Sequence, residues 1–326
     1  MNVTVIICTY NRCQSLAKAL GSVASSVLPD LVEWEVLVVD NNSKDQTPEV
    51  VDEFSHRHPG RFRYLFEACQ GKSHALNSGI REARGDVLAF MDDDVTVEPT
   101  WLRILTAPLE SGEWAGVGGR ILPVQAFSPP SWLSLKGPYS TAGMLALFDL
   151  GDRSCELHQP PFGTNMAFRR SLFGKYGGFR TDMGPCPGSE MRNEDTEFGR
   201  RLLAAGERLR YEPSAIVYHA VPESRLEKPY FLAFWFDHGR ASVRECKKRP
   251  DILGVPRQYF TILKIGAMLP SRALRWMLTL NSQRRFFYKG FVWMIAGEIV
   301  EIYRQSVSSM DPKHDAVPET DWDSRT

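Results

Sequence analysis

The apolar positions of the first hundred residues fall into two rhythms. Residues 3–8 (VTVIIC) and 35–39 (EVLVV) are unbroken, mostly β-branched runs. Such runs suit strands buried on both faces of a parallel sheet. Between them Leu16, Leu20, Val23 and Val27 recur at helical spacing from Ser15, and Pro29 ends the pattern. Strand, helix and strand in that order predict a right-handed β-α-β unit. After DNNSKDQT, Thr47 is placed to cap a helix that starts at Pro48, with Glu49 in its first turn and Val50, Val51 and Phe54 along it. Residues 61–66 (RFRYLF) alternate like a strand. Ser73 is placed to cap a further helix running to Arg84 and ending at Gly85. Residues 86–91 (DVLAFM) form the next strand and run into Asp92-Asp93-Asp94. Three or four such units in series predict an α/β sheet.

The middle of the chain is looser. Residues 123–143 are rich in Pro, Ser and Gly and read as a loop region. Order resumes at 163–173 (GTNMAFRRSLF), and the Gly/Pro-rich segment 181–193 reads as mobile. Asp195–Ala205 is helical, ended by Gly206, and 211–219 (YEPSAIVYH) returns as a strand. Beyond Pro222 the pattern changes to three helices, over 229–248, 257–278 and 283–305, rich in aromatics and Arg/Lys. The expected organisation is an α/β domain over 1–222, a basic helical region over 223–306 and a disordered tail over 307–326, polar and without periodicity from 311.

Composition narrows the class. The 326 residues carry 39 basic and 39 acidic side chains, which argues against a chain whose whole surface binds nucleic acid. The balance hides an asymmetry. Glu223–Gln305 holds 15 Lys/Arg and 7 Asp/Glu, a net of +8, so the remainder carries −8. No charge-free apolar run approaches the roughly 18 residues that span a bilayer. The N-terminus lacks a basic segment followed by an apolar one, so no secretory signal is expected. The six cysteines form no CxxC pair or zinc spacing. They are expected to be buried small hydrophobes in a reduced, cytoplasmic protein.

The chemistry is expected where the strands end, because ligands of parallel sheets bind beyond the carboxyl ends. Those ends carry Thr9-Tyr10-Asn11, Asp40-Asn41-Asn42 and Asp92-Asp93-Asp94. Four acidic side chains in one crevice repel each other unless something positive binds. Mg²⁺ is usually held by one or two carboxylates together with substrate phosphates, so a metal–diphosphate is the expected ligand. Neither GxxxxGKS/T nor GxGxxG occurs, which leaves P-loop and dinucleotide readings without support. Asp45 reads as a solvated loop residue or a helix cap.

Taken as a set, VTVIICTYNR, EVLVVDNNSKDQT, GKSHALNSGIREARGDVLAFMDDD, GTNMAFRR and NEDTEFGRRL resemble a family 2 glycosyltransferase of the GT-A fold, over roughly residues 2–220. Cys8 stands where that family frequently has Pro. The resemblance implies a Rossmann-like, mostly parallel α/β sheet flanked by helices, with a C-terminal helical extension. It implies that Thr9, Tyr10 and Asn11 line a nucleotide pocket, that Asp40, with Asn42 beside it, contacts the base, and that Asp92 lies near the ribose. Asp94 would ligate Mg²⁺ or Mn²⁺ through the diphosphate, with His219 as a second ligand. Asp93 should point away, because adjacent residues of an extended segment alternate sides. Lys72 is a candidate for the diphosphate charge, with an exposed lysine as the equal alternative. Glu194-Asp195 would supply the catalytic base, since an inverting transfer needs a carboxylate to take the acceptor's proton. A helix start also suits a carboxylate, and capping is the bland alternative for Asp195. Gly163, Thr164 and above all Asn165 would shape the donor-sugar and acceptor side.

The resemblance thus implies a metal-dependent inverting transferase. It would move one sugar from a nucleotide-sugar, typically a UDP-sugar, to a glycan or polyprenyl-linked acceptor in cell-envelope polysaccharide synthesis. The QxxRW motif of processive members is absent. QRRFF at 283–287 lacks its spacing and its Trp. A sugar-nucleotide pyrophosphorylase would carry a Gly-rich basic loop after the first strand, where this chain has TYNRCQSL. An inactive glycan-binding module is disfavoured by the intact acidic motifs. The basic, aromatic C-terminal third suits either a peripheral membrane contact or a helical subdomain packed on the sheet. No nucleic-acid motif accompanies its charge.

Overall fold

A computed structural model of the chain describes residues 1–28, 32–187, 191–247 and 257–308. Pro29 and the tail from 311 onward lie outside the described residues, as do 188–190 within the segment expected to be mobile.

In chain order the elements are β1 (Asn2–Thr9), α1 (Cys13–Ala24), β2 (Glu33–Asp40), α2 (Thr47–Arg57), β3 (Phe62–Phe66), α3 (Lys72–Glu82), β4 (Val87–Asp92), β5 (Val95–Val97) and α4 (Trp101–Thr106). There follow β6 (Gly116–Pro123), β7 (Cys155–Leu157), β8 (Asn165–Arg169), α5 (Ser171–Tyr176), α6 (Glu194–Ala204) and β9 (Leu209–His219). Three long helices close the described chain: α7 (Lys228–Lys247), α8 (Arg257–Leu278) and α9 (Ser282–Ser308). The chain divides into two compact units. Among the described residues, one comprises Met1–Ala126, Ala146–Ser189 and Glu194–Val221; the other Phe127–Leu145, Glu190–Asn193 and those from Pro222 onward. Part of the loop region 123–143 therefore belongs with the helices, and the division is not a single cut at 222.

The sheet runs β3-β2-β1-β4-β8-β6-β9-β5, with β7 paired to β9. Strands β1, β2, β3, β4, β6 and β9 point one way, and β5, β7 and β8 run against them. Along β1, Val5 and Ile7 join one apolar layer with Leu16, Leu20 and Trp101, while Ile6 joins the other with Leu76, Ile80, Phe90 and Phe168. That alternation is why the strand reads as continuously apolar: both faces are covered. Each fully buried Leu, Ile or Phe stabilises by about 1.5–3 kcal/mol. Register then positions the site. Thr9 pairs with Asp40 and Cys8 with Asp92, so three strand ends finish level. Antiparallel β8 brings its amino end to the same edge, where Asn165 pairs with Met91.

Several local expectations are corrected. Helix α1 stops at Ala24, and Val27 is exposed. Helix α3 stops at Glu82, before Arg84. Thr47 makes no cap. Its amide and hydroxyl both donate to Asp45, whose other oxygen accepts the Cys13 amide. One carboxylate thus closes the starts of α1 and α2. Burial pushes the Asp45 carboxyl up, but the bonds from Thr47 and Cys13 outweigh it and hold it below the ordinary range. Ser73 does not cap α3 either; its hydroxyl donates to the Met183 carbonyl at 2.8 Å. With the Lys72 amide on the Pro185 carbonyl, that bond pins part of the segment expected to be mobile. None of the cysteines is buried. Cys69, Cys155 and Cys186 are exposed, and all six are free thiols. The three exposed ones sit on loops and on β7, outside both apolar layers.

In the helical unit, α7 and α9 pack closely because Gly239 and Gly297 face backbone. A Cβ on Gly239 would strike the Met294 carbonyl, and one on Gly297 the Phe236 carbonyl. Buried Glu301 of α9 is held by Arg240 at 3.2 Å and Arg244 at 2.7 Å. Helix α8 packs on α9 and contains Pro270.

Candidate active site

Two hydrogen-bonded groups sit at the carboxyl edge of the sheet. In the first, the Lys72 ammonium lies 2.6 Å from Asp92 and 3.8 Å from Glu194. The Thr164 hydroxyl donates to the second oxygen of Asp92 at 2.7 Å. Burial opposes the Asp92 charge, but Lys72 outweighs it and holds the carboxyl at about 2. Burial likewise opposes the Lys72 charge, and Asp92 and Glu194 overcome it, raising the ammonium. Glu194 differs from Asp92. It is buried beside Asp195, and desolvation with that neighbour pushes it up to about 7.

In the second group the Thr9 hydroxyl donates to Asp93 at 2.7 Å, and the Arg12 guanidinium lies 3.1 Å from both Asp93 and Asp94. Asp93 is pushed up to about 6 by burial, against the pull of Arg12 and Thr9. Asp92 and Asp93 face different partners, but Asp93 does not point away from Asp94: β4 ends at Asp92, the chain turns at Asp93-Asp94, and both share Arg12. Asp94 is partly exposed, and its Oδ1 lies 3.8 Å from Nε2 of the buried His219. Adjacent ligands of one octahedral cation at 2.0–2.1 Å stand about 2.9 Å apart, so a shared ion would need this oxygen and nitrogen to close by about 1 Å. Among the described residues no group of three or more His, Cys, Asp and Glu could hold a metal. Two protein ligands completed by water and phosphate is an ordinary arrangement for Mg²⁺.

Asp195 stands apart from both groups and is half-buried. Its Oδ2 accepts the Gly163 amide at 2.6 Å and its Oδ1 the Thr196 amide at 2.6 Å. A Cβ at Gly163 would meet Oδ2 at 3.0 Å, so only glycine gives this approach comfortably. Of the two adjacent acids, Glu194 turns inward to Lys72 and Asp195 keeps solvent access.

The other expected residues divide. Asp40 is buried, accepting the Ser43 amide at 2.8 Å and the Tyr64 hydroxyl at 2.7 Å. Asn11 and Asn42 both adopt positive φ, at 51° and 69°. Asn11 accepts the Lys44 amide and Asn42 the Lys44 ammonium, which knits together the loops after β1 and β2. Tyr10 is 46% exposed, an open ring at the end of β1. Asn165 does not fit its expected place toward the sugar. It is fully buried, accepts the Trp101 indole at 2.9 Å, and donates to the Arg120 and Ala215 carbonyls. Its amide is spent on holding α4, β6 and β9 together.

Sequence reasoning missed Arg12 and Tyr64. Arg12 answers the charge argument directly: four acids in one crevice need a cation, and the loop after β1 supplies one. Tyr64 could have been found as the only polar-tipped side chain of the RFRYLF run that faces the end of β2.

This edge, with its strand order, is that of the GT-A class of glycosyltransferase folds. The family model described as "Glycosyl transferase family 2" matches residues 4–177. The chain belongs to this family and is a glycosyltransferase. It is 28% identical over 273 residues to the succinoglycan biosynthesis protein ExoM of Rhizobium meliloti, covering 82% of this chain and 81% of that one. It is 27% identical over 249 residues to the glucosyl-dolichyl phosphate glucuronosyltransferase of Haloferax volcanii, covering 72% and 75%. Among solved structures, the mannosyltransferase PcManGT of Pyrobaculum calidifontis, in complex with GDP-Man and Mn²⁺, shares the fold. Its TM-score is 0.61 at 20% identity, with 93% of this chain and 87% of that one covered.

Proposed function

We propose that the protein moves a single sugar from a nucleotide-sugar donor to a glycan or lipid-linked acceptor, with inversion at the anomeric carbon. The observation that carries this reading is the solvent-accessible Asp195 carboxylate, fixed by two backbone amides beside an edge rich in acids. Asp195 takes the proton of the acceptor hydroxyl as that oxygen attacks the anomeric carbon. Gly163 aims the carboxylate, and buried Glu194 with Lys72 orders the helix start that carries it. Asp94 and His219 would hold Mg²⁺ or Mn²⁺ with the donor diphosphate. A cation there neutralises charge on the departing diphosphate. Tyr10, Asn11, Asn42 and the Asp40–Tyr64 pair would face the nucleoside, and Asp92 the ribose.

The names of similar proteins support the details. PcManGT was solved with GDP-Man and Mn²⁺, and ExoM is named for succinoglycan biosynthesis. The Haloferax relative acts on a lipid-linked glucosyl acceptor by name. A bacterial TarS of the same fold (TM-score 0.52, 16% identity) was solved with UDP-GlcNAc, so UDP heads the donors to test. We take the enzyme to work in the cytoplasm at a membrane face, where lipid-linked acceptors are met.

The test is thermal stability of the protein against UDP, GDP, TDP and CMP, each with and without Mn²⁺. A ligand at a hundred times its dissociation constant stabilises by about 2.7 kcal/mol. Stabilisation by one nucleotide only with metal is expected. Stabilisation by none, with or without metal, would overturn the donor-site reading and leave a glycan-binding module.

A further inference from the structure

Helix α8 is amphipathic the wrong way round for a helix that only packs. Leu263, Ala267, Pro270, Leu274 and Met277 recur every three or four residues, Leu278 adjoins them, and all are exposed. Leu263 is 70% exposed, Met277 63% and Leu278 69%, and Leu280, just past the helix end, 98%. This is one continuous apolar stripe along a helix of about 33 Å. Soluble surfaces rarely leave such a stripe uncovered. No described helix is long and apolar enough to cross a membrane.

The charges around the stripe select its partner. Residues 252–297 contain seven Lys/Arg and no Asp/Glu. Arg272 lies over Phe291, Arg275 over Tyr288, and Lys289 over Trp276 and Trp293. Arg284 and Arg285 are exposed at the start of α9. A second copy of the same face would bring like charges together. An anionic surface with an apolar interior matches both the stripe and its rim.

We propose that the exposed stripe of α8, with the basic side chains of α8 and α9, docks the protein on an anionic lipid bilayer. The apolar side chains enter the acyl boundary while the guanidinium groups stay at the headgroups. The docking does not depend on the transferase reading, and it is measured without donor, metal or acceptor.

The full chain is sedimented with vesicles of phosphatidylcholine alone and of phosphatidylcholine with phosphatidylglycerol, at low and high salt. Binding is expected only with phosphatidylglycerol, and weaker at high salt. Leu274→Asp with Met277→Asp should weaken it by about tenfold or more, with an unchanged melting temperature because both positions are exposed. Arg275→Glu with Arg285→Glu should weaken it by at least about tenfold as well, each charge near the surface being worth about 1 kcal/mol. Three results would overturn the proposal. One is failure to bind either vesicle. Another is a dimer in solution that the Leu274/Met277 pair dissolves. The third is vesicle binding that appears only after Asp321→Asn and Asp323→Asn, which would make the acidic tail the resident partner of this face.

Discussion

The edge of the sheet and the surface of α8 and α9 handle charge in opposite ways. At the sheet edge, acids meet cations from the same chain: Lys72 on Asp92, and Arg12 on Asp93 and Asp94. On α8 and α9 the cations lie over aromatic rings, and among the described residues no carboxylate pairs with Arg272, Arg275, Arg284, Arg285 or Lys289. The first region is preassembled, with its repulsion already offset. The second presents basic side chains that stack on rings and that no described carboxylate neutralises. A cluster of like charges therefore says little until its partners are found.

The sharpest way to break this comparison is at Asp195, the acid bound by backbone amides, with no ion pair to a cation among the described residues. Asp195→Asn should lower turnover by about a thousandfold, within the usual range for a lost general base. Donor binding by calorimetry should be unchanged. A variant that turns over normally would leave Asp195 a capping residue only.

Asn165→Ala comes next. It strips the Trp101 indole of its acceptor and two buried carbonyls of their donors. A loss of about 3 kcal/mol, or roughly 10 °C in melting temperature, is expected. A variant with normal stability and weakened donor binding would restore Asn165 to the site.

Asp94→Ala should leave donor binding indifferent to Mn²⁺, measured by titrating UDP with and without metal. If metal still tightens the nucleotide, Asp94 is not a ligand. Arg12→Ala should act in the other direction, since Arg12 holds the other oxygen of the same carboxylate and offsets its charge. Apparent metal affinity should rise several-fold while the apo protein loses stability.

The smallest effect is a pH dependence at Glu194. Its carboxyl is raised to about 7 in the fold and lies near 4.5 unfolded. The folded state then binds more protons between those values, so stability falls as pH rises through that window. Glu194→Gln should flatten melting temperature against pH between about 5 and 7. An unchanged slope would mean the pairing with Lys72 already offsets the burial.

Much of the sheet was legible because continuous apolar runs such as 35–39 have few other uses. The level strand ends at Asp40 and Asp92 followed from those runs. Arg12 was not legible because its partners lie more than eighty residues away, beyond any periodicity. Asn165 misled because NMAF opens a strand directly after a glycine-bearing loop, and only packing shows the amide turned into the core. Asp45 was read as a loop or cap residue, while one of the two helix starts it closes, at Cys13, lies 32 residues away. The pattern of α8 gave amphipathicity without orientation, since periodicity cannot say which face meets the rest of the protein.

Pro270 sets a waterline on that helix. Lacking an N–H, it leaves the Gly266 carbonyl, four residues back, without its helical donor. Gly266 is itself exposed beside the stripe. Sinking an unbonded carbonyl into hydrocarbon costs several kcal/mol, whereas at headgroup level water bonds it freely. Docked as proposed, the helix would therefore float but not submerge.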